Sequence, residues 1–343
     1  MHSNIYTTSE RAWEAMYEAI GKAKRSIYIE MYIFVDDMKE HFDIFKTLIE
    51  KAKNGVGVVL VLDGFGSREL SKSTLTEFRN CGIEVLFFKR LFRRIHRKVV
   101  IIDEGKIFLG GVNMHGAVRR WFDLEIELEG IVVKQALSSF AKSYEACGGK
   151  NPKILAYRRK RKIKEVGTWF IEHSPFAGLY HLRKIYEESV GGAQHRIVFV
   201  TPYFIPHRWL RKLIEKALSR DVRVEILMPE KSDHLLIDIA SYWYAKKLAS
   251  IGVHFYLLKE MNHAKALLVD DRAGLIGSQN IDALSFDFNS EASIYFDDVS
   301  MVQNLKEIIA DWQKDVKEGI VDRKLPWYAG IVSFILKLFQ PVL

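Results

Sequence analysis

Apolar residues recur along the chain in two alternating rhythms. Ser26 to Phe34 is rich in β-branched and aromatic residues, the composition of a strand. Ile44 to Lys53 carries its apolar residues at helical spacing. Val56 to Leu62 is an unbroken apolar run ending at Asp63-Gly64, which predicts a strand buried on both faces. Leu75 to Asn80 predicts a helix, Gly82 its stop, and Ile83 to Phe88 the next strand. Strand and helix in alternation imply an α/β sheet covered by helices.

The same order returns about 165–170 residues later. Arg196 to Val200 is a strand, and Leu213-Ile214-Glu215-Lys216-Ala217 repeats Leu48-Ile49-Glu50-Lys51-Ala52 letter for letter. Val222 to Met228 answers Val56 to Leu62; Tyr244 to Ala249 is a helix and Val253 to Leu258 a strand. One shared pentapeptide is weak evidence, but five elements repeating in order imply two homologous α/β halves packed against each other. Turn chemistry at Gly148 to Pro152 marks the seam. The expected organisation is a first half over 1–150, a basic linker over 151–168, a second half over 169–324 and an apolar segment over 325–343. The cationic run Arg158 to Lys162 reads either as a solvated linker or as a contact for anionic lipid headgroups, at about 1 kcal/mol per basic residue.

Composition narrows the class. The 343 residues are enough for one large domain or two ordinary ones. A hydrophobic share of 48% with 27% charged residues excludes a disordered chain, a collagen-like fibre and a multi-span membrane protein. The excess of 51 Lys+Arg over 43 Asp+Glu favours a polyanionic partner: nucleic acid, an anionic membrane or a phosphorylated substrate. Cys81 and Cys147 make no disulfide framework, which fits a reducing compartment. The first residues lack an apolar run behind a basic patch, so neither a signal peptide nor an N-terminal anchor is expected.

Each half contains His-x-Lys-(x)4-Asp: His96, Lys98 and Asp103, then His263, Lys265 and Asp270. Strand alternation puts each His and Lys on one side. An Asn follows each His by 17 residues, in Gly110-Gly111-Val112-Asn113 and Gly277-Ser278-Gln279-Asn280. A carboxylate follows at 27 residues (Asp123) and 28 residues (Glu291). Facing each other, two imidazoles can divide the roles of nucleophile and general acid. Two ammoniums and two amides can hold the oxygens of a phosphodiester. A carboxylate behind each ring fixes its tautomer. Small residues such as Gly111 and Ser278 would let backbone amides approach the phosphate. This chemistry needs no metal or cofactor, and the sequence shows no metal-ligand cluster.

These motifs resemble the phospholipase D superfamily, and the wider pattern resembles bacterial cardiolipin synthases. Asp36, Gly55-Val56, Gly64 to Ser67, Thr201 to Pro206, Met228 to Asp233, Trp121 to Asp123, Leu128 to Gly130, Ser285-Phe286 and Asn289 to Glu291 carry the likeness over about residues 10–343. The resemblance implies two phospholipase D-like halves, each a mixed sheet flanked by helices, packed pseudo-two-fold with the active site between them. It implies a phosphatidyl-histidine intermediate, phosphatidylglycerol as donor and acceptor, and release of glycerol. Lys98, Lys265, Asn113 and Asn280 would hold the phosphate; Asp123 and Glu291 would orient the imidazoles; Asp103 and Asp270 would be supports near the site.

Many such synthases open with two membrane spans; this sequence resembles shorter members without them. Membrane access is then peripheral, on the cytoplasmic face of a bacterial membrane. For 325–343 three readings stand: a helix packed on the domain, an interfacial anchor presenting Trp327, Tyr328, Phe334, Ile335 and Phe339, or a span. The basic stretch Lys89 to Arg94 before His96 reads as a solvated loop or a headgroup attractor. His115 reads as a rim or surface residue, His173 as structural, and His234 as a residue facing the acceptor or none. Rival functions are a water-using phospholipase D, a nuclease of the same superfamily and a non-catalytic membrane scaffold. Intact motifs oppose the scaffold, and no aromatic-basic module for single strands is present.

Overall fold

The computed structural model describes residues 3–38, 42–158, 167–314, 316, 318–319 and 324–339. The first half runs β1 (Ser3–Thr8), α1 (Ser9–Lys22), β2 (Ser26–Met31), α2 (Ile44–Lys53), β3 (Gly57–Asp63), α3 (Lys72–Asn80), β4 (Glu84–Phe88), β5 (Lys98–Ile102), β6 (Lys106–Gly110), β7 (Phe122–Glu129) and α4 (Ile131–Ala146). A short α5 (Pro152–Leu155) packs against α4. The second half runs β8 (Thr168–Ser174), β9 (Leu179–Tyr180), α6 (His181–Gly192), β10 (Arg196–Val200), α7 (Arg208–Leu218), β11 (Arg223–Pro229), α8 (Leu235–Ala249), β12 (His254–Leu258), β13 (Ala266–Val269), β14 (Ala273–Gly277), β15 (Glu291–Phe296), α9 (Val299–Gln313) and α10 (Ala329–Phe339).

The sheets repeat each other. Their orders are β1-β7-β6-β5-β2-β3-β4 and β12-β11-β10-β13-β14-β15-β8-β9. In each, three parallel strands (β2-β3-β4, β10-β11-β12) meet antiparallel strands beginning with the one that follows the His-x-Lys motif. Both faces of each sheet are covered. In β2, Ile27, Ile29 and Met31 point to the outer core against α1 and α2, while Tyr28 points to the central core. In β10, Ile197 and Phe199 face outward and Val198 and Val200 inward. The central core joins both sheets to α4 and α9, making one five-layered body. Two-sided burial is the reason β3 is a continuous apolar run rather than an alternating one.

Local chemistry sets the element ends. The Asp43 carboxylate caps α2 through the Lys46 N–H (2.9 Å), and Ile44, Phe45, Leu48 and Ile49 bury one helix face. The stretch read as a linker starts as helix α5, with Ile154 buried, and Thr168 already belongs to β8. Residues 159–166, which hold most of the cationic run, lie outside the described residues. α10 packs on α8 through Ala329, Ser333 and Leu336. No helix among the described residues is long and apolar enough to cross a membrane.

Candidate active site

The site is built at the seam where each half bridges the other. Ile95 pairs with Ser290, and Asn262 with Phe122, as short parallel bridges. The His96 N–H donates to the Ser290 carbonyl (2.9 Å) and the Ser290 N–H to the Arg94 carbonyl (2.8 Å). On the other side the His263 N–H donates to the Phe122 carbonyl (2.7 Å) and the Phe122 N–H to the Met261 carbonyl (3.0 Å). The residues after Ser290 and Phe122 are Glu291 and Asp123. Each histidine therefore meets the carboxylate of the opposite half.

His96 Nδ1 lies 3.1 Å from both Glu291 oxygens, and His263 Nδ1 lies 2.8 Å from Asp123 Oδ2. An Nδ1–H held by a carboxylate leaves the lone pair on Nε2. Burial pushes the His96 imidazole down to about 4, against the upward pull of Glu291. His263 is lowered too, by burial and by the Lys265 ammonium, with Asp123 opposing. Burial thus favours the neutral imidazole at both positions. Burial would raise Asp123 and Glu291, but the imidazoles and lysines beside them outweigh it and hold both carboxylates below their ordinary values.

Lys98 and Lys265 are almost wholly buried. Lys98 Nζ donates to the carbonyl of His96 (2.7 Å), and Lys265 Nζ to that of His263. Each ammonium braces its own histidine and keeps two N–H groups for an anion. Desolvation lowers Lys98 to about 8 and Lys265 to about 7. Asn113 and Asn280 are buried, and the side-chain oxygen of each has no hydrogen-bond partner, so the amides have capacity for a ligand. Among the described residues no group of three or more His, Cys, Asp or Glu is placed to hold a metal.

Gly111 and Ser278 act differently from their sequence reading, and Asp103 and Asp270 are supports as expected but lie away from the site. The Gly111 N–H donates to the Leu124 carbonyl (2.9 Å) and the Ser278 N–H to the Ala292 carbonyl (3.0 Å), so neither is free for phosphate. Gly111 is small for another reason: a Cβ there would lie 2.1 Å from Asp123 Oδ1. The Ser278 hydroxyl donates to Glu291 Oε2 instead of facing a substrate. Both positions make room for, or hold, an orienting carboxylate. Asp103 and Asp270 lie at the far ends of β5 and β13; five residues of strand put Asp103 about 17 Å from Lys98. The Asp103 carboxylate accepts from the N–H groups of Lys24, Arg25 and Ser26 at 2.6–3.1 Å. Asp270 does the same for Gln194, His195 and Arg196 at 2.7–2.9 Å. Both adopt the left-handed backbone region (φ 50° and 52°) that Asp tolerates in a hairpin turn.

Other residues join the site from outside the motifs. Asp63, at the end of β3, accepts from the Ile95 N–H (2.9 Å) and so fixes the approach to His96. Arg97 points the other way from its neighbours, into the central core; its guanidinium reaches Ser139 (2.9 Å), Ser143 (3.2 Å) and Glu30 (3.4 Å). The ring of Tyr32 stands edge-on to His96, with centroids 4.8 Å apart, and Tyr203 stands 6.4 Å from His263. Glu125 is buried and pushed well up by burial and the Asp123 charge. Alternation from Asp123 along β7 is the sequence signal that points to Glu125. Of the other histidines, His115 bonds Asp37 (2.7 Å), His173 is buried with Nε2 3.0 Å from the Phe286 carbonyl, and His234 sits near Tyr203.

The chain resembles known proteins over nearly its whole length. A family model described as "Cardiolipin synthase, PLD-like domain" matches twice, over residues 16–144 and 186–312. The chain is 27% identical over 375 residues to the probable cardiolipin synthase YwiE of Bacillus subtilis, covering 98% of this chain and 74% of the relative. It is 30% identical over 325 residues to the minor cardiolipin synthase ClsB of the same organism, covering 89% and 79%. The crystal structure of phosphatidylserine synthase from Haemophilus influenzae superposes with a TM-score of 0.78 at 14% identity, covering 99% of this chain and 93% of that one, a likeness of fold. Two matched halves that exchange carboxylates across one seam, and relatives spanning nearly the whole chain, lead to one assignment: the chain belongs to the cardiolipin synthase PLD-like domain family, enzymes of the phospholipase D superfamily.

Proposed function

We propose that the protein is a phosphatidyltransferase that makes cardiolipin from two phosphatidylglycerol molecules and releases glycerol. The observation that carries this reading is the pair of carboxylate-oriented imidazoles beside two buried ammoniums. In the first step His96 Nε2 attacks the phosphorus of a donor lipid. The charge of the bound phosphodiester favours the protonated form of His263, and as the bond from phosphorus to the glycerol oxygen breaks that ring gives its Nε2 proton to the leaving oxygen. In the second step the headgroup hydroxyl of an acceptor lipid gives its proton to His263 and attacks phosphorus. The P–N bond to His96 breaks and the ring regains its lone pair. Lys98 and Lys265 stabilise the charge on the non-bridging oxygens throughout.

Membrane contact is peripheral in this reading, on the anionic cytoplasmic leaflet. An open groove of about 640 Å³ lies beside the His96–Glu291 seam, lined by Arg90, Leu91, Phe92, Arg93, Phe176 and Tyr180 among others. Leu91 is 79% exposed and Trp327 87% exposed, and Phe334 and Ile335 face outward from α10. Apolar tips among arginines suit the boundary between headgroups and acyl chains. The test is purified protein with labelled phosphatidylglycerol vesicles. Cardiolipin with one glycerol per turnover supports the proposal. Phosphatidic acid alone makes the enzyme a hydrolase, and no turnover overturns both.

A further inference from the structure

The two histidines sit in unlike surroundings. On the His96 side the neighbours are cationic. Lys98 Nζ lies 5.0 Å from the Tyr32 ring centroid, and Arg94 and Arg68 flank the Phe65 ring at 4.4 and 4.8 Å. The charges of both arginines reach the Tyr32 hydroxyl. Asp63, the carboxylate nearest them, is occupied by the backbone N–H groups of Phe65, Gly66 and Ile95.

On the His263 side the groups are oxygen acceptors. Tyr203, packed near His263, donates its hydroxyl to Asp233 Oδ1 (2.6 Å). His234 lies 3.4 Å from Asp233 and 5.9 Å, centroid to centroid, from Tyr203. Asp233 is one-third exposed, and its charge is felt at the Lys265 ammonium. A phosphate does not seek carboxylates. These acceptors call for O–H donors next to the phosphorus, and Lys265 offsets the local negative charge that an ammonium headgroup would need.

We propose that Asp233, Tyr203 and His234 form the subsite for the polyol headgroup, binding its free hydroxyls on the His263 side of the cleft. This rests on the phosphatidylglycerol reading above and deepens it. The leaving glycerol and the incoming headgroup then occupy one place in turn, both beside His263, while the diacylglyceryl side of the donor lies toward the cationic His96 side.

The test uses the full chain with two soluble short-chain donors, dihexanoyl phosphatidylglycerol and the matching p-nitrophenyl phosphodiester, which has no headgroup hydroxyls. Asp233→Asn and Tyr203→Phe are compared with wild type after thermal melting shows each folded. The expected result is a fall of at least about tenfold in the kcat/KM ratio of the glycerol donor to the nitrophenyl donor, mostly through KM, the loss expected for a hydrogen bond to a charged group. A ratio within twofold of wild type in both variants overturns the subsite, as does equal loss on both donors. A selective gain for a phosphatidylethanolamine donor in wild type over phosphatidylglycerol also overturns it. Wild type that turns over the nitrophenyl donor but releases no glycerol from phosphatidylglycerol fails the proposed function instead.

Discussion

His96 is oriented by Glu291, 195 residues away in the other half, with Nδ1 3.1 Å from each carboxylate oxygen. His263 and Asp123 form the reciprocal pair at 2.8 Å. Each carboxylate governs a histidine that reads as belonging to the other motif.

Glu291→Gln and Asp123→Asn should each lower kcat by roughly 10²- to 10⁴-fold, the range for losing the carboxylate that holds a catalytic imidazole. The folds should survive, since the amides keep the shape. Steady-state rates on a short-chain donor measure this; a loss under about threefold for both would refute the orienting role.

The pH profile should be a bell in kcat/KM. Below about 4 His96 takes up a proton and loses the lone pair that attacks phosphorus. On the alkaline side His263, whose hold on the proton it must donate is weakened by burial and by Lys265, loses that proton first, and above about 7 to 8 Lys265 and then Lys98 lose the charge that binds an anionic phosphodiester. A bound phosphate favours the ammonium forms, so the alkaline limb of kcat should lie at higher pH than that of kcat/KM. An alkaline limb identical in both would contradict phosphate binding by the lysines.

Asp103→Asn and Asp270→Asn should affect stability more than chemistry. Burial would raise each carboxyl, but three backbone N–H groups pull it below its ordinary value. A carboxyl lowered in the fold stabilises above its unfolded pKa of about 3.9, and that stability is lost as pH falls through the folded value. Partial exposure keeps the worth near about 1 kcal/mol apiece. Melting should shift by a few degrees near neutral pH, with kcat within about threefold of wild type. A hundredfold fall in kcat at unchanged melting would place these residues in the reaction.

Membrane docking should depend on salt and on the apolar tips. Each buried large side chain contributes about 1.5–3 kcal/mol at most, and each basic residue about 1 kcal/mol near anionic lipid. Leu91→Glu with Phe92→Glu should weaken binding to phosphatidylglycerol vesicles at least about tenfold while sparing turnover of soluble donors. Removing 327–343 tests α10 separately. If that truncation abolishes cooperative melting, α10 is a core helix and not an anchor. Vesicle binding that ignores ionic strength would speak against the electrostatic share.

The repeat, the α/β class and the paired motifs were legible because strands buried on both faces appear as apolar runs, and β3 and β11 do so at matching places. Helix α8 was only half legible. It begins at Leu235, nine residues before the Tyr244 start read from the pattern, because it is apolar nearly all round with α10 on one flank and shows little periodicity. The pairing of His96 with Glu291 was not legible at all. Asp123 stands 27 residues after His96 and Glu291 28 after His263, and spacing alone allows either pairing; only the packing of one half on the other decides it. Gly111 and Ser278 were read as openings for a phosphate because small size looks the same whether it admits a ligand or a neighbouring carboxylate.

The backbone bridges Ile95–Ser290 and Phe122–Asn262 tie both imidazoles to the same seam. If the halves part by even 1 Å there, both histidine–carboxylate contacts stretch together, and nucleophile and acid are disarmed in one movement. Under the proposed mechanism, losing either half's carboxylate frees the other half's histidine, so each motif depends on its counterpart to be of use.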